Sequence, residues 1–489
     1  MHNASELEEY AHQPDRLALV ERVQRLIEEL GVTYLYFQFV SVTGRVVGKG
    51  VPSAHWRRLA DSGIQMVLGS TANVAASRTG RYLGYGPEAS ELVAIPEPET
   101  FVQLPWDRRI GRVFCTLFTN REEKALPGSF LSTDCRGNLR RAHARFKAEH
   151  GLELRCGLEP EMMWLRRDES GRPSGGATKA YCYHIEQFEE LRPVYMKVLE
   201  YCDAMGLDMI QGDHEDAPGQ LELNFMYDEA LRTADRLTTY RQICSQVARE
   251  VGMKACFMAK PFPRVSGSGC HHNVSLWSGG DDVQYQPRGG LRGAEEVHRY
   301  RTGGDNRFMP SPGQAKPGPI GLRCIAGVIE HLPALTAIAS STVNSYRRLW
   351  DMGFWAPVYA DWGYQNRTCA LRVSAPGRLE VRSADAMVNP YLMASGLLAA
   401  FADGITRDLD PGEPEERNIY AAIEDGKQVR KLPMNLGDAL DALAGDLVVR
   451  SALPGRMFEV YEDCKRDEWA RFLATVTEWD LESYMDFVP

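Results

Sequence analysis

The amino-acid sequence predicts an α+β protein with two domains, a small β-rich domain followed by a large domain of mixed helices and strands. The chain has 489 residues, more than a single hydrophobic core usually serves. Hydrophobic residues make up 44% of it and charged residues 25%, which is typical of a globular protein. Strand-like segments dominate its first part, whereas helical periodicity and short alternating strands share the rest.

The first domain is predicted to contain one helix and several strands. Apolar residues recur at helical spacing from Leu17 to Leu30, and Gly31 ends the helix. The segment from Val32 to Val47 is β-rich, and Arg112 to Phe118 is a further strand. The charged, Pro- and Gly-marked segment 120–128 is the predicted linker, so we assign the first domain to residues 1–122.

The second domain, residues 123–489, is predicted to alternate short strands with helices. Helices are expected at Asn138–His150, Phe188–Met205, Arg232–Glu250 and within Leu436–Glu482. The most apolar stretch, Tyr391–Ala402, is too short to span a bilayer and is predicted to be a buried helix.

Charge and cysteine usage exclude several classes of partner. The formal charge is −10, so neither a nucleic acid nor a membrane surface is an expected partner. Any anionic substrate must therefore be held by local arginines or by metal. The eleven cysteines are scattered without a Cys-x-x-Cys pair, and residues 1–16 are polar and acidic rather than a signal peptide. These features predict a cytoplasmic protein with reduced thiols.

Acidic and histidine side chains share faces of four predicted strands, because alternate residues of a strand point to the same side. The shared faces are Glu159 and Glu161; Gln220, Glu222 and Asn224; His271, Asn273 and Ser275; and Arg378, Glu380 and Arg382.

Each of these segments has an ordinary explanation when taken alone. A glutamate on an alternating strand is usually solvated, and a single strand histidine is more often structural than a ligand. Four such segments beside Gly or Pro breaks are harder to attribute to chance. With Glu215, they supply five carboxylates and one imidazole, a set that suits two hard cations such as Mg²⁺ or Mn²⁺. Zinc is disfavoured because no cysteine has ligand spacing.

At these segments the sequence resembles the glutamine synthetase family, and the similarity runs over almost the whole chain. The motifs occur in the family's order: Glu-x-Glu at Glu159, Glu-x3-Gly-Gln-x-Glu at Glu215, Lys260-Pro, Gly-Ser-Gly-x-His from Gly267, Asn344-Ser-Tyr-x-Arg348, Arg367 with Arg372, and Arg-x-Glu-x-Arg from Arg378. One motif would be weak support, whereas the ordered set is strong.

The resemblance implies a role for each matching residue. One metal site would be Glu161, Glu215 and Glu222, and a second, nearer the phosphates, would be Glu159, His271 and Glu380. Glutamate would be bound by Arg348 and Arg382 beside the Gly267 backbone. The phosphates and the transferring phosphoryl group would be served by Arg367, Arg372 and Arg378, and the nucleotide by Lys260, Asn273 and Ser275.

The resemblance also implies a fold, a reaction and an assembly. The fold would be an N-terminal β-grasp domain followed by a catalytic domain with an antiparallel sheet. The reaction would use ATP and two to three Mg²⁺ or Mn²⁺ ions to convert the γ-carboxylate of glutamate to γ-glutamyl phosphate, which an amine then attacks. The active sites would lie between subunits of a homo-oligomer of stacked rings, a dodecamer.

The sequence departs from ammonium-using relatives at two positions. The residue before Ala-Pro in the loop after Arg348 is Trp355, where those relatives have a glutamate, and the loop is one residue longer, with Asp351 as its only acid. A second ammonium-binding acid aligns, more weakly, with Leu68. An apolar wall of Leu68 and Trp355 offers ammonium neither charge nor base. An arylamine, by contrast, is neutral at pH 7, so the sequence predicts an aromatic amine such as aniline, the activity of γ-glutamylanilide synthases, and a role in amine catabolism.

Several alternatives stay open. Ammonium use is one, and relatives acting on polyamines, ethanolamine or methylamine also carry Trp in this loop. A non-catalytic descendant is disfavoured because all six metal-ligand positions are intact, and no Gly-x4-Gly-Lys-[Ser/Thr] signature indicates another ATP-dependent ligase. Tyr420 resembles an adenylylation site of some relatives, but an ordinary packing role is the simpler interpretation.

Overall fold

The first sheet of the protein occupies the N-terminal part of the chain. The computed structural model describes residues 5–168, 171–175, 181–286, 297–314, 316–350 and 355–486. The first three helices are α1 (Glu6–Ala11), α2 (Pro14–Glu29) and α3 (Trp56–Ser62). The first six strands are β1 (Tyr34–Val40), β2 (Val46–Pro52), β3 (Ile64–Val67), β4 (Glu91–Pro96), β5 (Val102–Gln103) and β6 (Ile110–Thr119). They form one sheet in the order β2-β1-β6-β4-β3, with β5 also on β6; β1 and β6 are parallel and the other pairs antiparallel.

Side-chain patterns explain these N-terminal elements. Pro14 occupies the first turn of α2, where its missing N–H costs nothing, and the helix buries Val20, Val23 and Ile27 against the sheet. After α2, Gly31 has a φ of 66°, a left-handed conformation that glycine adopts without strain. The predicted helix Leu17–Leu30 and strand Arg112–Phe118 are confirmed as α2 and part of β6.

The second sheet belongs to the larger C-terminal part. Its strands, with a separate hairpin of β14 and β15, are β7 (Glu153–Arg167), β8 (Pro173–Ser174), β9 (Met209–His214), β10 (Gln220–Phe225), β11 (Asp228–Glu229), β12 (Lys254–Cys256), β13 (Cys270–Ser278), β14 (Asp281–Gln284), β15 (Arg299–Thr302), β16 (Asp305–Asn306), β17 (Trp362–Tyr364), β18 (Leu371–Ala375) and β19 (Arg378–Val381). The main order is β17-β18-β19-β13-β7-β10-β9, and every pair except β17–β18 is antiparallel. This confirms the predicted α+β fold with an antiparallel catalytic sheet.

Twelve helices accompany this sheet in the described residues. They are α4 (Cys135–His150), α5 (Ile185–Glu190), α6 (Arg192–Ala204), α7 (Ala230–Glu250), α8 (Pro319–Ala339), α9 (Val343–Trp350), α10 (Pro390–Thr406), α11 (Ile419–Glu424), α12 (Leu436–Gly445), α13 (Leu447–Ser451), α14 (Met457–Leu473) and α15 (Glu478–Tyr484). The largest hydrophobic core lies between the sheet and these helices. The predicted domain boundary falls in the loop between β6 and α4 and stays a prediction.

One of the helix predictions is wrong and another is confirmed. The single helix expected over Phe188–Met205 is two helices, α5 and α6, because Pro193 lies in the first turn of α6 and cannot continue a helix from α5. The buried helix expected at Tyr391–Ala402 is confirmed as part of α10, but α8 is a longer apolar helix. By length and composition α8 is the one described helix that could cross a membrane; 72% of its most apolar part is buried inside the protein. All eleven cysteines are free, as predicted.

His331 on α8 joins three helices through two carboxylates. Its Nδ1 lies 2.7 Å from Asp446 Oδ2, at the N-terminus of α13, and its Nε2 lies 3.0 Å from Asp403 Oδ2 on α10. Burial opposes the imidazolium charge, but the hydrogen bonds to Asp446 and Asp403 outweigh it and raise the pKa of His331 above its ordinary value.

We expect this triad to stabilise the protein in a pH-dependent way. Because the pKa of His331 is raised on folding, its contribution is complete below the unfolded pKa of about 6.5 and is lost as pH rises through the folded pKa. His331→Gln should therefore lower the unfolding temperature at pH 6, by an amount corresponding to about 2 kcal/mol, and by clearly less at pH 9. Thermal unfolding at both pH values measures this, with exposed His55→Gln as control. An equal loss at both pH values would refute the charged triad.

Candidate active site

Six ligand-type side chains meet on the second sheet in two clusters. Each residue of a cluster offers one ligand atom, and within each cluster these atoms all lie within 4.8 Å of one another. One cluster is Glu159, His271 and Glu380, and the other is Glu161, Glu215 and Glu222. These are the same two sets that the resemblance assigns to the two metal sites.

Strand register explains why the clusters form. His271 on β13 pairs with Glu159 on β7, and Glu222 on β10 pairs with Glu161 on β7. Glu380 on β19 pairs with Asn273, two residues beyond His271 on the same face. Four neighbouring strands therefore present their polar residues side by side, while residues between them, such as Leu221 and Val274, enter the core.

The clusters carry strongly perturbed carboxylates. Burial, with the charges of Glu161 and Asp213, raises the pKa of Glu215 to about 8. Burial and the charges of Glu159 and Glu161 raise the pKa of Glu222 well above its ordinary value. Glu159 differs: burial would raise its pKa, but the hydrogen bond with His271 and the imidazole charge lower it to about 2. Because several buried carboxylates cannot all be charged together, this arrangement calls for cations.

Amide groups hold the carboxylates in place. Asn273 Nδ2 donates to Glu159 Oε1 at 2.8 Å, and Asn224 Nδ2 donates to Glu222 Oε1 at 2.7 Å. Gln220 Nε2 lies 3.3 Å from Glu161 Oε2 and donates to the Gly267 carbonyl at 3.0 Å. These bonds orient oxygen ligands before any cation arrives.

The residues fit divalent cations. Carboxylates and one imidazole are donors that Mg²⁺ and Mn²⁺ accept, and no cysteine belongs to either cluster. His271 Nε2 is buried and has no hydrogen-bond partner among the described residues. A buried nitrogen without a partner is costly in a protein interior, and a metal ion would satisfy it.

Arg348 reaches the clusters because two neighbouring residues are glycine. A Cβ at Gly267 would lie 2.8 Å from Arg348 Cγ and 2.4 Å from the Ala259 carbonyl oxygen. A Cβ at Gly269 would lie 3.0 Å from Arg348 Nη2, 2.9 Å from His271 Nε2 and 3.1 Å from Glu161 Oε1. The glycines thus permit an otherwise crowded approach. Arg348 is 5% exposed, and its Nη1 has no hydrogen-bond partner in the described residues.

The remaining arginines surround Glu380 and the open side of the site. Arg372 Nη1 lies 2.7 Å from Glu380 Oε2, and Arg382 donates to Glu380 Oε1. Arg378 is exposed and donates through Nε to Ser374 Oγ at 2.9 Å, and its charge helps to lower the pKa of Glu159. Arg367 is exposed and acts electrostatically on Tyr183.

The residues expected to contact nucleotide make different contacts in the structure. Ser275 lies two residues beyond Asn273 on β13, and its Oγ accepts a hydrogen bond from Trp277 Nε1 at 2.8 Å. Lys260 is buried, and its ammonium donates to the Val265 carbonyl. Lys260 therefore supports the segment that leads to Gly267, and its role toward nucleotide stays a prediction.

The two residues of the predicted amine wall, Leu68 and Trp355, have different surroundings. Trp355 is 55% exposed, and its carbonyl accepts a hydrogen bond from Arg382 Nη2 at 3.1 Å, which places it beside the Glu380 cluster. Leu68 is partly buried and packs against the hydrophobic cores. Asp351 lies outside the described residues. Tyr420 packs edge-on against Tyr359, with ring centroids 5.6 Å apart.

The structure adds residues that sequence reasoning missed. Tyr183 is 64% exposed, has an unusual φ of 64°, and its N–H donates to the His214 carbonyl at 2.8 Å. Cys182 Sγ lies 3.8 Å from Glu215 Oε2. Asp213 pairs in register with Glu222, and burial with the charges of Glu161 and Glu159 raises its pKa to about 6. Only Asp213 carried a sequence signal, since it lies two residues before Glu215.

Comparison with known proteins gives one family. The glutamine synthetase catalytic-domain model matches residues 132–304 and 300–484. A glutamine synthetase of Halobacterium salinarum is 31% identical over 472 residues, 94% of this chain and 95% of that protein. A glutamate–methylamine ligase of Methyloversatilis universalis is 29% identical over 483 residues, 95% of this chain and 98% of that protein.

Solved structures agree with these sequence relatives. The structure described as a GmaS/ADP complex superposes with a TM-score of 0.81 at 29% identity, covering 95% of this chain and 99% of that chain. The ligand-free GmaS structure gives a TM-score of 0.80 with the same identity and coverage.

We expect cation binding to release protons from this site. Because the pKa of Glu215 is raised to about 8 and that of Glu222 is also raised well above its ordinary value, protons must leave before a cation binds. Affinity for Mn²⁺ should therefore rise between pH 6.5 and pH 8.5, by up to about tenfold per pH unit for each displaced proton. Calorimetry in buffers of different ionisation enthalpy measures both quantities.

Glu222→Gln is the matched variant for this experiment. It removes a carboxylate but keeps its shape, so it should weaken Mn²⁺ binding and flatten the pH dependence. A pH-independent affinity in the unaltered protein would contradict the raised pKa values.

Proposed function

Because the chain belongs to the glutamine synthetase family and is an ATP-dependent ligase that forms carbon–nitrogen bonds, we propose that it joins the γ-carboxylate of glutamate to an amine other than ammonium. The observation that carries this proposal is Trp355, which stands beside Arg382 and the Glu380 cluster with more than half of its surface exposed. Within that class we propose a primary aromatic amine as the substrate.

The chain's own residues fit the two halves of such a reaction. A carboxylate is a poor electrophile, so its γ-oxygen must first take the phosphoryl group of ATP. Arg348 and Arg382, both buried and each with a nitrogen lacking a hydrogen-bond partner in the described residues, can hold the glutamate carboxylates. Arg378, whose charge acts on Glu159, and Arg367, whose charge acts on Tyr183, are both exposed and can neutralise the moving phosphoryl group. Two Mg²⁺ ions in the carboxylate clusters would supply further charge neutralisation.

Trp355 does not provide the groups that ammonium needs for binding and deprotonation. It is a small cation that needs carboxylates to bind and a base to lose its proton. An indole supplies neither. The glutamate–methylamine ligase shows that a relative resembling this chain along nearly all its length takes a substituted amine, and the glutamine synthetase resembles it to the same extent, so Trp355 decides between them here.

An aromatic amine fits the exposed surface better than an alkylamine does. Alkylamines, like lysine with its pKa of about 10.4, are protonated at neutral pH and need a base. An arylamine is already neutral and offers a flat ring that an indole can stack on. Tyr183, exposed near Glu215 and Arg367, is a second aromatic group at the site.

We further propose that the complete amine pocket forms between subunits. Leu68 packs against the hydrophobic cores, whereas Trp355 is exposed beside Arg382, and in this proposal the wall combines Trp355 with Leu68 from a neighbouring copy. A homo-oligomer of stacked rings, a dodecamer, would bring these two surfaces together.

The proposal is tested by phosphate release with ATP, Mg²⁺ and glutamate and a panel of amines. The panel contains ammonium, methylamine, ethanolamine, putrescine and aniline, with products identified by mass. Turnover of aniline well above that of ammonium supports the proposal. Preferred turnover of methylamine or another alkylamine would keep the substituted-amine class and reject the aromatic one. Preferred turnover of ammonium would reject both.

Trp355→Ala tests the residue that carries the argument. Because the variant removes the ring against which the amine packs, kcat/KM for aniline should fall at least about tenfold, the effect of about 1.4 kcal/mol. The KM for glutamate should stay within about twofold. Trp350→Ala is the matched control, since Trp350 is 63% exposed but donates through Nε1 to the Met434 carbonyl, away from Arg382. Equal effects of both variants would contradict a specific role for Trp355.

Arg348→Gln tests the glutamate site separately. A buried guanidinium that pairs with a carboxylate contributes strongly to binding, so the KM for glutamate should rise at least about tenfold while the KM for ATP changes little. Arg347→Gln is the control, because the adjacent Arg347 is exposed and lies over Phe472, 5.5 Å from the ring centroid. A larger effect on ATP than on glutamate would reassign Arg348.

A further inference from the structure

A second polar cavity lies between the first sheet and helix α7, outside the catalytic clusters. Its volume is about 480 Å³, which is in the range of small-molecule sites. β1 contributes Tyr36 and Gln38, β6 contributes Arg112, and α7 contributes a face that includes Arg241, Gln242, Ser245 and Arg249. These α7 positions recur at three- and four-residue spacing, so one helix face lines the cavity.

The cavity concentrates positive charge without a carboxylate to balance it. Three arginines line it, Arg112, Arg241 and Arg249, and its lining contains no aspartate or glutamate. Within the described part of the chain, no ion pair joins Arg112 or Arg241 to a carboxylate. The nearby Asp235 is committed to Arg136, which donates to it at 2.8 Å and 3.0 Å. The Asp235 charge acts on Arg112 and the Asp385 charge on Arg241, but neither carboxylate lines the cavity.

Arg112 is the clearest sign of a missing partner. It is 3% exposed, its Nη2 donates to Thr239 Oγ1 at 2.8 Å, and its Nε has no hydrogen-bond partner in the described residues. Burial lowers its pKa to about 10, against the modest help of the Asp235 charge. Arg241 donates through Nη2 to the Ala386 carbonyl at 2.8 Å, and burial lowers its pKa as well. A buried guanidinium that lacks an anion is costly, and an oxyanion in the cavity would relieve that cost.

The rest of the lining indicates an organic ligand rather than a bare ion. Gln242 Nε2 donates to Gln38 Oε1 at 3.1 Å, so each amide keeps further groups for a ligand. Trp106 adds an aromatic surface beside these polar groups. We infer that this cavity binds a small organic acid through a carboxylate or phosphate group held by Arg112, Arg241 and Arg249.

Calorimetric titration of the protein tests this inference. The protein is first saturated with Mg²⁺ and a non-hydrolysable ATP analogue, which occupy the nucleotide site. It is then titrated with succinate, with glycerol 3-phosphate, and with their uncharged counterparts succinamide and glycerol. At least one anion should bind, and neither uncharged compound should. Which anion binds distinguishes a carboxylate ligand from a phosphate ligand.

Arginine variants test whether the anion binds in this cavity. Arg241→Gln and Arg249→Gln should each weaken anion binding, about tenfold for Arg241, because each removes a charge-assisted hydrogen bond. Arg348→Gln must leave it unchanged, since Arg348 belongs to the proposed glutamate site. Arg112→Gln should abolish anion binding. If that variant fails to fold, Arg249→Gln still tests whether the anion binds in this cavity, because Arg249 is exposed and its substitution disturbs little packing. Binding that survives Arg241→Gln and Arg249→Gln, binding lost in Arg348→Gln, or no anion binding would overturn the inference.

Discussion

The structure depends on a single electrostatic constraint, the convergence of five carboxylates on one face of an antiparallel sheet. Two like charges about 4 Å apart repel by about 4 kcal/mol at an effective dielectric constant of about 20. The ligand atoms of Glu161, Glu215 and Glu222 lie within 4.8 Å of one another. Burial and this repulsion together favour the protonated forms in the free protein, which is why the pKa values of Glu215 and Glu222 are raised. Charge must come from outside for the site to be fully ionised.

The protein supplies part of that charge itself, and it does so unequally. Glu380 is 1% exposed and contacts both Arg372 and Arg382, and Glu159 has His271 at 3.1 Å. The Glu161 cluster has amides and a backbone N–H from Gly269, but no ion pair with an arginine in the described residues. The two clusters therefore differ before any cation binds. The one without arginine partners holds its protons and should gain more from a cation than the other.

Much of this arrangement could be predicted from local sequence. Alternation along a strand is a local property, so the shared faces of Glu159 with Glu161 and of Gln220 with Glu222 followed from spacing alone. The sequence could not show how strands align, and register decides that His271 faces Glu159. It could not show that Gly269 gives room for Arg348, because the crowding comes from residues distant in sequence. Pro193 indicates a break between two helices, but the helical periodicity continues across it and therefore predicts a single helix.

The geometry of the proposed amine pocket likewise could not be predicted from local sequence. There the guanidinium of one arginine contacts both a proposed metal ligand and the backbone of Trp355. Arg382 donates to the Glu380 carboxylate and, through Nη2, to the Trp355 carbonyl at 3.1 Å. A guanidinium is planar and its donors are fixed relative to one another, so these two contacts fix the position of the Trp355 carbonyl relative to the Glu380 carboxylate. A lysine ammonium is a point charge and would not impose the same geometry. The position of the Trp355 backbone is thus tied to a proposed metal ligand by one rigid group. Any shift of Glu380 as a cation binds must be accommodated by Arg382, and through it by Trp355, the residue proposed to face the amine.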